Sequence, residues 1–188
     1  FWSLVTGPNV ISVINSDRDY RLEVEYAADL PANKYGSGFP TTTQSNCRDD
    51  NFEYHTNLFN LNNTYRSRDS LLRISSIRNE KISGVTIPWI YLGMKFSSFC
   101  WHVEDLYINS FNYNHKGSSK IWYIIPGAEK ERFDEFVKKR YNKQISSKPD
   151  FMHRITLMID PLEIIKAGIK VYKVNHTPRS YVFTFPKV

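Results

Sequence analysis

Residues 87–123 read IPWIYLGMKFSSFCWHVEDLYINSFNYNHKGSSKIWY and decide the fold. Aromatic and β-branched side chains dominate this stretch, and both kinds favour β-strands. Turn-forming residues at 115–119 (HKGSS) interrupt the stretch. We therefore predict two or more strands closed by a hairpin at this turn.

Weaker patterns extend the prediction in both directions along the chain. Polar and apolar residues alternate at 21–26, and apolar residues recur at helical spacing over 128–141, which predicts a strand and an amphipathic helix that covers a sheet. The remaining predicted elements are an ordered turn at 31–40, a variable surface loop at 41–57, a short helix at 161–167 that begins at Asp160-Pro161 and stops at Gly168, and strands at 169–174 and 181–185. Because no βαβ rhythm is present, a mainly antiparallel barrel or sandwich with packed helices fits best.

Composition excludes several classes of protein. The 188 residues suit one domain, and the two cysteines, Cys47 and Cys100, form neither a CxxC zinc motif nor a disulfide framework, which indicates a reducing compartment. The net charge of +6 is spread over scattered basic residues, so sequence-specific nucleic-acid binding is not indicated. No apolar run is long enough to span a membrane, and the residues from Phe1 to Val5 lack the basic region and cleavage site that a signal peptide would show. We expect a piece of a longer protein without a membrane partner.

The segment 99–105 (FCWHVED) carries the most informative chemistry. On a strand, residues two apart share a face, so His102 and Glu104 would present an imidazole and a carboxylate side by side. These are two members of the facial triad of two histidines and one carboxylate that holds non-haem iron(II). The alternative is a hydrogen-bonded histidine next to a surface acid.

Further polar residues follow with matching parity. Ser110 and Asn112 would share the wall of His102 and Glu104 if the strand runs unbroken, which indicates a wet functional cavity. After the turn, Lys120 and Trp122 share one face of an otherwise apolar strand. Lys120 is either a side chain that extends from the strand end to water or the partner of a bound dicarboxylate.

These motifs resemble, in order and spacing, the JmjC family and specifically its JARID-type branch of histone lysine demethylases. The resemblance covers nearly the whole chain. Its blocks are Phe1-Trp2, Leu4-Val5, Val24-Glu25-Tyr26, Ala28-Asp29, 36–40 (GSGFP), 60–63 (NLNN), Pro88-Trp89, Tyr91, Gly93-Met94, 96–102 (FSSFCWH), Glu104-Asp105, Trp122-Tyr123 and 184–186 (TFP). The chain departs from the family at Leu106-Tyr107 and Asn109, positions that bear on the choice of peptide.

The resemblance implies a fold and a set of residue roles. The fold would be the JmjC double-stranded β-helix, a cupin-like jelly roll with packed α-helices, and residues 1–188 would form a single catalytic domain that is incomplete at its C-terminus. The resemblance implies that His102 and Glu104 bind iron, with Asp105 as their neighbour. It implies that Lys120 and Tyr26 bind the far carboxylate of 2-oxoglutarate, that Ser110 and Asn112 form hydrogen bonds in the same pocket, and that Phe99 and Trp122 form its walls. Tyr91 and Gly84 would contact the methylated ammonium. Phe99 has the wrong strand parity for its role unless a bulge or twist intervenes.

The implied activity is that of an iron(II)- and 2-oxoglutarate-dependent dioxygenase with O2 as co-substrate. It would demethylate di- or trimethylated lysine 4 of the histone H3 tail by methyl hydroxylation and formaldehyde release, in the nucleus, with chromatin contacts made by flanking domains. Two alternatives stay open: a catalytically silent JmjC scaffold that binds chromatin or another protein, and a JmjC hydroxylase of a non-histone protein. Retention of His102, Glu104, Asn112 and Lys120 argues against the silent scaffold.

The third metal ligand is expected outside the sequence. The resemblance places this histidine two residues beyond Val188, whereas His176, which lies before the last strand, matches a loop position without a ligand role. His55, His115 and His153 fall outside the pattern. We expect the 188 residues alone to fold, to keep little iron after dialysis and to be inactive until extended. Elemental analysis alongside circular dichroism tests this, and stoichiometric iron in the folded chain would contradict it.

Overall fold

The computed structural model of the chain describes residues 24–41, 52–147 and 157–188. The described residues fall into two compact units, one that ends at Ser97 and one that begins at Ser98. All of their strand pairs are antiparallel, and short helices connect them. The prediction of antiparallel strands with packed helices is therefore confirmed for the described residues.

The first unit is built around one pair of strands. Its elements are β1 (Tyr26–Pro31), α1 (Ala32–Tyr35), α2 (Phe52–Thr56), a 3-10 turn (Thr64–Arg66), α3 (Arg73–Ile77) and β2 (Trp89–Gly93). β1 pairs with β2 from Tyr26 opposite Gly93 to Pro31 opposite Trp89, with an irregularity between Ala27 and Leu30. Pro31 ends the strand, since it has no amide hydrogen to donate.

Three predictions in this unit need correction. The strand predicted at 21–26 begins only at Tyr26, and residues 21–23 lie outside the described residues. The turn predicted at 31–40 contains α1, and the loop predicted at 41–57 contains α2, while 42–51 lie outside the described residues. Alternation and turn composition locate such a region but do not fix which residues pair with a distant strand.

The residues 60–63 (NLNN) connect the loops of the first unit through side-chain hydrogen bonds. Asn60 is buried, and its amide group donates to the carbonyl oxygens of Pro40 at 2.9 Å and Tyr54 at 3.0 Å. Asn62 donates to the hydroxyl of Ser37 at 2.7 Å. A buried side-chain amide needs acceptors for its N–H groups, and the two carbonyls supply them, so Asn60 has a structural role in this motif.

The second unit contains two further pairs of strands. Its elements are a 3-10 turn (Asp105–Tyr107), β3 (Ser110–Asn114), β4 (Lys120–Ile124), a 3-10 turn (Gly127–Glu129), α4 (Lys130–Arg140), α5 (Asn142–Ser147), α6 (Pro161–Lys166), β5 (Tyr172–His176) and β6 (Ser180–Thr184). In the described part of the chain, β3 pairs with β6 and β4 pairs with β5.

The predicted hairpin at 115–119 is wrong. β3 and β4 flank this turn, but each is hydrogen-bonded to a strand near the end of the chain. Asn114 explains part of the separation, because its side chain donates to the carbonyl oxygens of Ser118 at 3.2 Å and His176 at 3.1 Å. The end of β3 is therefore fixed by β5 as well as by the turn itself.

The core of the second unit confirms both predicted helices. Its buried side chains are Val137, Leu157, Ile159, Ile164 and Ile169. Val137 comes from α4, so this helix packs on α6 and the segments that flank α6. Burial of each such side chain stabilises the unit by about 1.5–3 kcal/mol.

The end of the chain follows the predicted order with shifted boundaries. Asp160 caps α6 by accepting from the amide of Leu162 at 2.8 Å, and Gly168 ends the helical turn at φ +80°. The strands predicted at 169–174 and 181–185 are observed as β5 and β6. β5 begins later than predicted, at Tyr172, and Ile169 belongs to the core cluster. None of the described helices is long and apolar enough to cross a membrane.

Candidate metal and cofactor site

The predicted metal motif, residues 99–105, is anchored to the core by Trp101. The amide of Trp101 donates to the carbonyl of Leu157 at 2.8 Å, and its indole N–H donates to the carbonyl of Ile159 at 2.9 Å. The Trp101 ring packs on Phe133 with 6.0 Å between centroids. This isolated bridge replaces the regular strand that the sequence predicts here. The side chains next to Trp101 are thereby set on a fixed backbone.

His102 presents one ring nitrogen for a ligand bond. Its Nδ1 lies 2.8 Å from the carbonyl oxygen of Cys100, and the side chain is exposed. A carbonyl oxygen only accepts, so Nδ1 carries a proton, and in the neutral ring Nε2 then has the lone pair. Histidines that bind metals are commonly oriented in this way. The ring of Phe99 lies 6.2 Å from that of His102, so the irregular backbone brings together two residues of opposite strand parity.

Glu104 is held by the first residue of β3. The hydroxyl of Ser110 donates to a Glu104 carboxylate oxygen at 2.8 Å and lies 2.6 Å from the hydroxyl of Thr184, its register partner in β6. Glu104 has an extended backbone (φ −66°, ψ 151°) and is partly buried. These contacts orient the carboxylate and leave its second oxygen available to a cation.

The strand does not run unbroken from Glu104 to Ser110, as the parity argument required. Leu106 and Tyr107 adopt left-handed backbone conformations, with φ of 56° and 54°. Each such conformation costs on the order of 1–3 kcal/mol in a residue other than glycine. The resulting turn folds the chain back, so Ser110 meets Glu104 through a reversal of direction and not through strand alternation.

Lys120 forms the cationic part of the site. Its ammonium group donates to the side-chain oxygen of Asn112 at 3.1 Å, which joins β4 to β3. Burial lowers the pKa of Lys120, because the charged form loses hydration. Within the described ranges no acidic side chain forms an ion pair with it. A partly buried cation with only a neutral partner favours an anionic ligand.

Trp122 contacts a histidine that the sequence argument set aside. Its indole Nε1 donates to Nδ1 of His176 at 3.2 Å, and Nε2 of His176 lies 2.8 Å from the carbonyl oxygen of Ser180. His176 is the last residue of β5, not a loop residue. Both of its ring nitrogens are engaged within the fold, so the geometry gives it no role as a metal ligand.

Three predicted site residues lie in the first unit. Tyr26 faces Gly93 across the strand pair, and its ring lies 6.3 Å from that of Tyr91. Burial, with a smaller effect of the Asp29 carboxylate, raises the pKa of Tyr26, so the phenol keeps its proton. Gly84 has φ +80°, and an added Cβ would lie 2.7 Å from the Trp89 ring. Packing alone therefore requires glycine at this position.

The structure adds three participants that sequence reasoning missed. They are Thr184, which contacts Ser110, Trp101, which anchors the motif, and His176, which contacts Trp122. In a strand, Thr184 and Val182 lie on the same face, so the sequence could have indicated the face on which Thr184 lies. Only the pairing of β6 with β3 shows that Thr184 lies opposite Ser110. Within 24–41, 52–147 and 157–188, no group of three His, Cys, Asp or Glu side chains is placed to hold a metal ion.

Comparison with known proteins identifies the family. The profile described as "JmjC domain, hydroxylase" matches residues 89–188, which is 100 of the 188 residues and contains His102, Glu104 and Lys120. The chain belongs to the JmjC family, as its motifs predicted.

Similar proteins agree with the predicted branch. The chain is 37% identical over 166 residues to Lysine-specific demethylase JMJ703 of Oryza sativa subsp. japonica, covering 88% of this chain and 13% of that protein. It is 36% identical over 188 residues to Lysine-specific demethylase 5B of Gallus gallus and to Lysine-specific demethylase 5D of Homo sapiens, covering all of this chain and 12% and 11% of those proteins. The resemblance to JARID-type demethylases is thus confirmed. The chain spans about an eighth of the length of these relatives.

Proposed function

We propose that the protein containing this chain is an iron(II)- and 2-oxoglutarate-dependent demethylase of di- or trimethylated lysine 4 in histone H3. The family match and the relatives named lysine-specific demethylases support a lysine demethylase. The observation that carries the cofactor assignment is Lys120, a partly buried cation that has a neutral partner and no acidic one in the described ranges.

Iron(II) would be held by Nε2 of His102 and a carboxylate oxygen of Glu104, with the third ligand expected beyond Val188. The donor set fits, because imidazole and carboxylate with open positions suit iron(II). The Cys100 carbonyl fixes the tautomer that frees Nε2, and the Ser110 hydroxyl orients the carboxylate. Such supporting contacts typically change metal affinity or activity about 10- to 100-fold.

The far carboxylate of 2-oxoglutarate would pair with the Lys120 ammonium. This contact would compensate the hydration that burial removes from Lys120. Asn112 fixes the ammonium from β3, and Ser110 supplies a hydroxyl beside the carboxylate ligand. Trp122 and Phe99 would provide apolar walls. The roles implied for Tyr26, Tyr91 and Gly84 stay predictions.

Iron(II) and 2-oxoglutarate, when bound, supply oxidation of a methyl C–H bond with O2 as oxidant. The hydroxylated methyl group then leaves its nitrogen as formaldehyde. The residues of this chain position the metal and the cofactor, and their apolar walls limit access of water. A nuclear location, contact with the methylated histone H3 tail, chromatin contacts through flanking domains and closure of the strands into a double-stranded β-helix belong to the same proposal.

The reaction is tested by its products. We expect the full-length protein to release formaldehyde from a lysine 4-trimethylated H3 peptide only when iron(II), O2 and 2-oxoglutarate are all present, with mass losses that correspond to methyl groups. Mass spectrometry of the peptide measures this, and a peptide trimethylated at another lysine is the control for site choice. Retention of all methyl groups by metal-loaded protein would contradict the demethylase assignment, and a gain of one oxygen on a different residue would indicate a hydroxylase.

A further inference from the structure

His176 is among the most deeply buried side chains of the second unit, with 1% of its surface exposed. In the β4–β5 pair, His176 lies directly opposite Lys120. Trp122 lies two residues further along β4, diagonally across from His176. The rings of Trp122 and His176 are 6.0 Å apart and tilted by 52°. The two β4 residues proposed to bind the cofactor therefore flank one imidazole.

The two hydrogen bonds of this imidazole determine its tautomer. An indole N–H only donates, so Nδ1 of His176 must accept the bond from Trp122. The carbonyl of Ser180 only accepts, so Nε2 must carry the proton. Only the neutral Nε2–H form satisfies both partners. The ring thus connects the Trp122 side chain to the backbone of β6.

The backbone of His176 is fixed independently of its ring. The buried Asn114 side chain donates to the His176 carbonyl at 3.1 Å, and the Asn114 carbonyl accepts from the amide of Arg179 at 2.6 Å. Asn114 therefore holds both sides of the turn between β5 and β6. Rotation of the imidazole away from Trp122 would leave a buried donor or acceptor without a partner.

We propose that His176 is a positioning residue of the cofactor site, which fixes the Trp122 indole next to Lys120. The inference rests on the proposed function of Trp122 and Lys120 in binding 2-oxoglutarate. Without the imidazole acceptor, the indole N–H would turn toward water, and the wall that Trp122 forms would move away from the bound dicarboxylate. His176 itself touches neither the metal ligands nor the ligand pocket in this proposal.

The test compares His176→Leu, which removes both hydrogen bonds, with His176→Gln, whose amide oxygen and NH2 can replace acceptor and donor. The first readout is the indole N–H signal of Trp122 in ¹⁵N-labelled full-length protein, assigned by its loss in Trp122→Phe. The second is 2-oxoglutarate affinity of the iron-loaded protein by calorimetry. The exposed His115 is the matched control, as His115→Leu.

We expect His176→Leu to shift the Trp122 signal and to weaken 2-oxoglutarate binding roughly tenfold, the lower end of what loss of supporting contacts typically costs a metal site. Iron affinity should stay unchanged, His176→Gln should restore most of the binding, and His115→Leu should have no effect. The KM for 2-oxoglutarate should rise more than kcat falls. An unchanged Trp122 signal and affinity in folded His176→Leu would overturn the proposal.

If His176→Leu does not fold, His176→Asn is compared with His176→Gln instead. His176→Asn is polar but too short to reach Trp122, so it should bind 2-oxoglutarate more weakly than His176→Gln, and equal affinity of the two variants would overturn the positioning role. A wild-type protein that binds no 2-oxoglutarate would contradict the proposed function. Equal 2-oxoglutarate affinity of the wild-type protein and a folded His176→Leu variant would contradict the positioning role and leave the proposed function intact.

Discussion

Replacement of Glu104 by alanine should abolish iron binding, whereas replacement of Lys120 by alanine should spare iron and weaken 2-oxoglutarate. Glu104→Ala removes a proposed metal ligand, and loss of groups that merely support such a ligand already costs about 10- to 100-fold. Lys120→Ala removes a charge-assisted hydrogen bond worth about 1.5–3 kcal/mol, which corresponds to about 10- to 100-fold in affinity. The two substitutions thus separate the two halves of the site.

Calorimetric titration of the full-length protein measures both effects, with iron(II) first and 2-oxoglutarate second. Lys116→Ala is the matched control, because this lysine is exposed in the turn before β4. It should change neither affinity. Equal losses of iron and cofactor binding in both site variants would show that the two residues do not divide the roles as proposed.

The alternation of side chains along a strand correctly predicted that Ser110 lies near Glu104, but the two residues are not on one continuous strand. The sequence pattern predicted that Ser110 shares a wall with Glu104, and the structure places a hydrogen bond between them. The connection runs through Leu106 and Tyr107 in left-handed conformations. Neither residue type favours that conformation, so no local signal predicts it.

Strand positions were predictable from local composition, but strand partners were not. The aromatic and β-branched stretch contains β2, β3 and β4 where strands were expected. The turn at 115–119 nevertheless does not close a hairpin, because β5 and β6 supply the partners of β4 and β3. Pairing depends on contacts between residues about 60 positions apart, such as Asn114 with His176, and a local pattern holds no information about them.

The histidines show the same limit at the level of chemistry. Sequence spacing identified His102 as a ligand candidate, but the carbonyl of Cys100 that sets its tautomer is visible only in the structure. His176 belonged to no motif, and its proposed positioning role follows from its hydrogen bonds to Trp122 and Ser180, which lie on different strands. Residue type predicted what each group can do, and the fold determined what each group meets.

Trp101 should be the residue of the metal motif on which stability depends most. Its indole packs on Phe133 and donates to the Ile159 carbonyl, and its amide bonds to Leu157. Trp101→Ala should lower the free energy of unfolding by about 3–5 kcal/mol, the usual range for removing a large aromatic side chain from a core. Trp101→Phe keeps most of the packing and loses the indole hydrogen bond, so its cost should be about 1–3 kcal/mol.

His102→Ala is the natural control, since it lies one residue away and its side chain is exposed. In metal-free protein it should change stability by no more than about 0.5 kcal/mol while removing iron binding. Urea unfolding followed by circular dichroism, with metal chelated, ranks the three variants. Destabilisation by His102→Ala as large as that by Trp101→Ala would mean that the motif is part of the core at both positions. The expected order would mean instead that stability depends on Trp101, which holds the backbone in place, and not on His102, whose proposed role is to bind the metal.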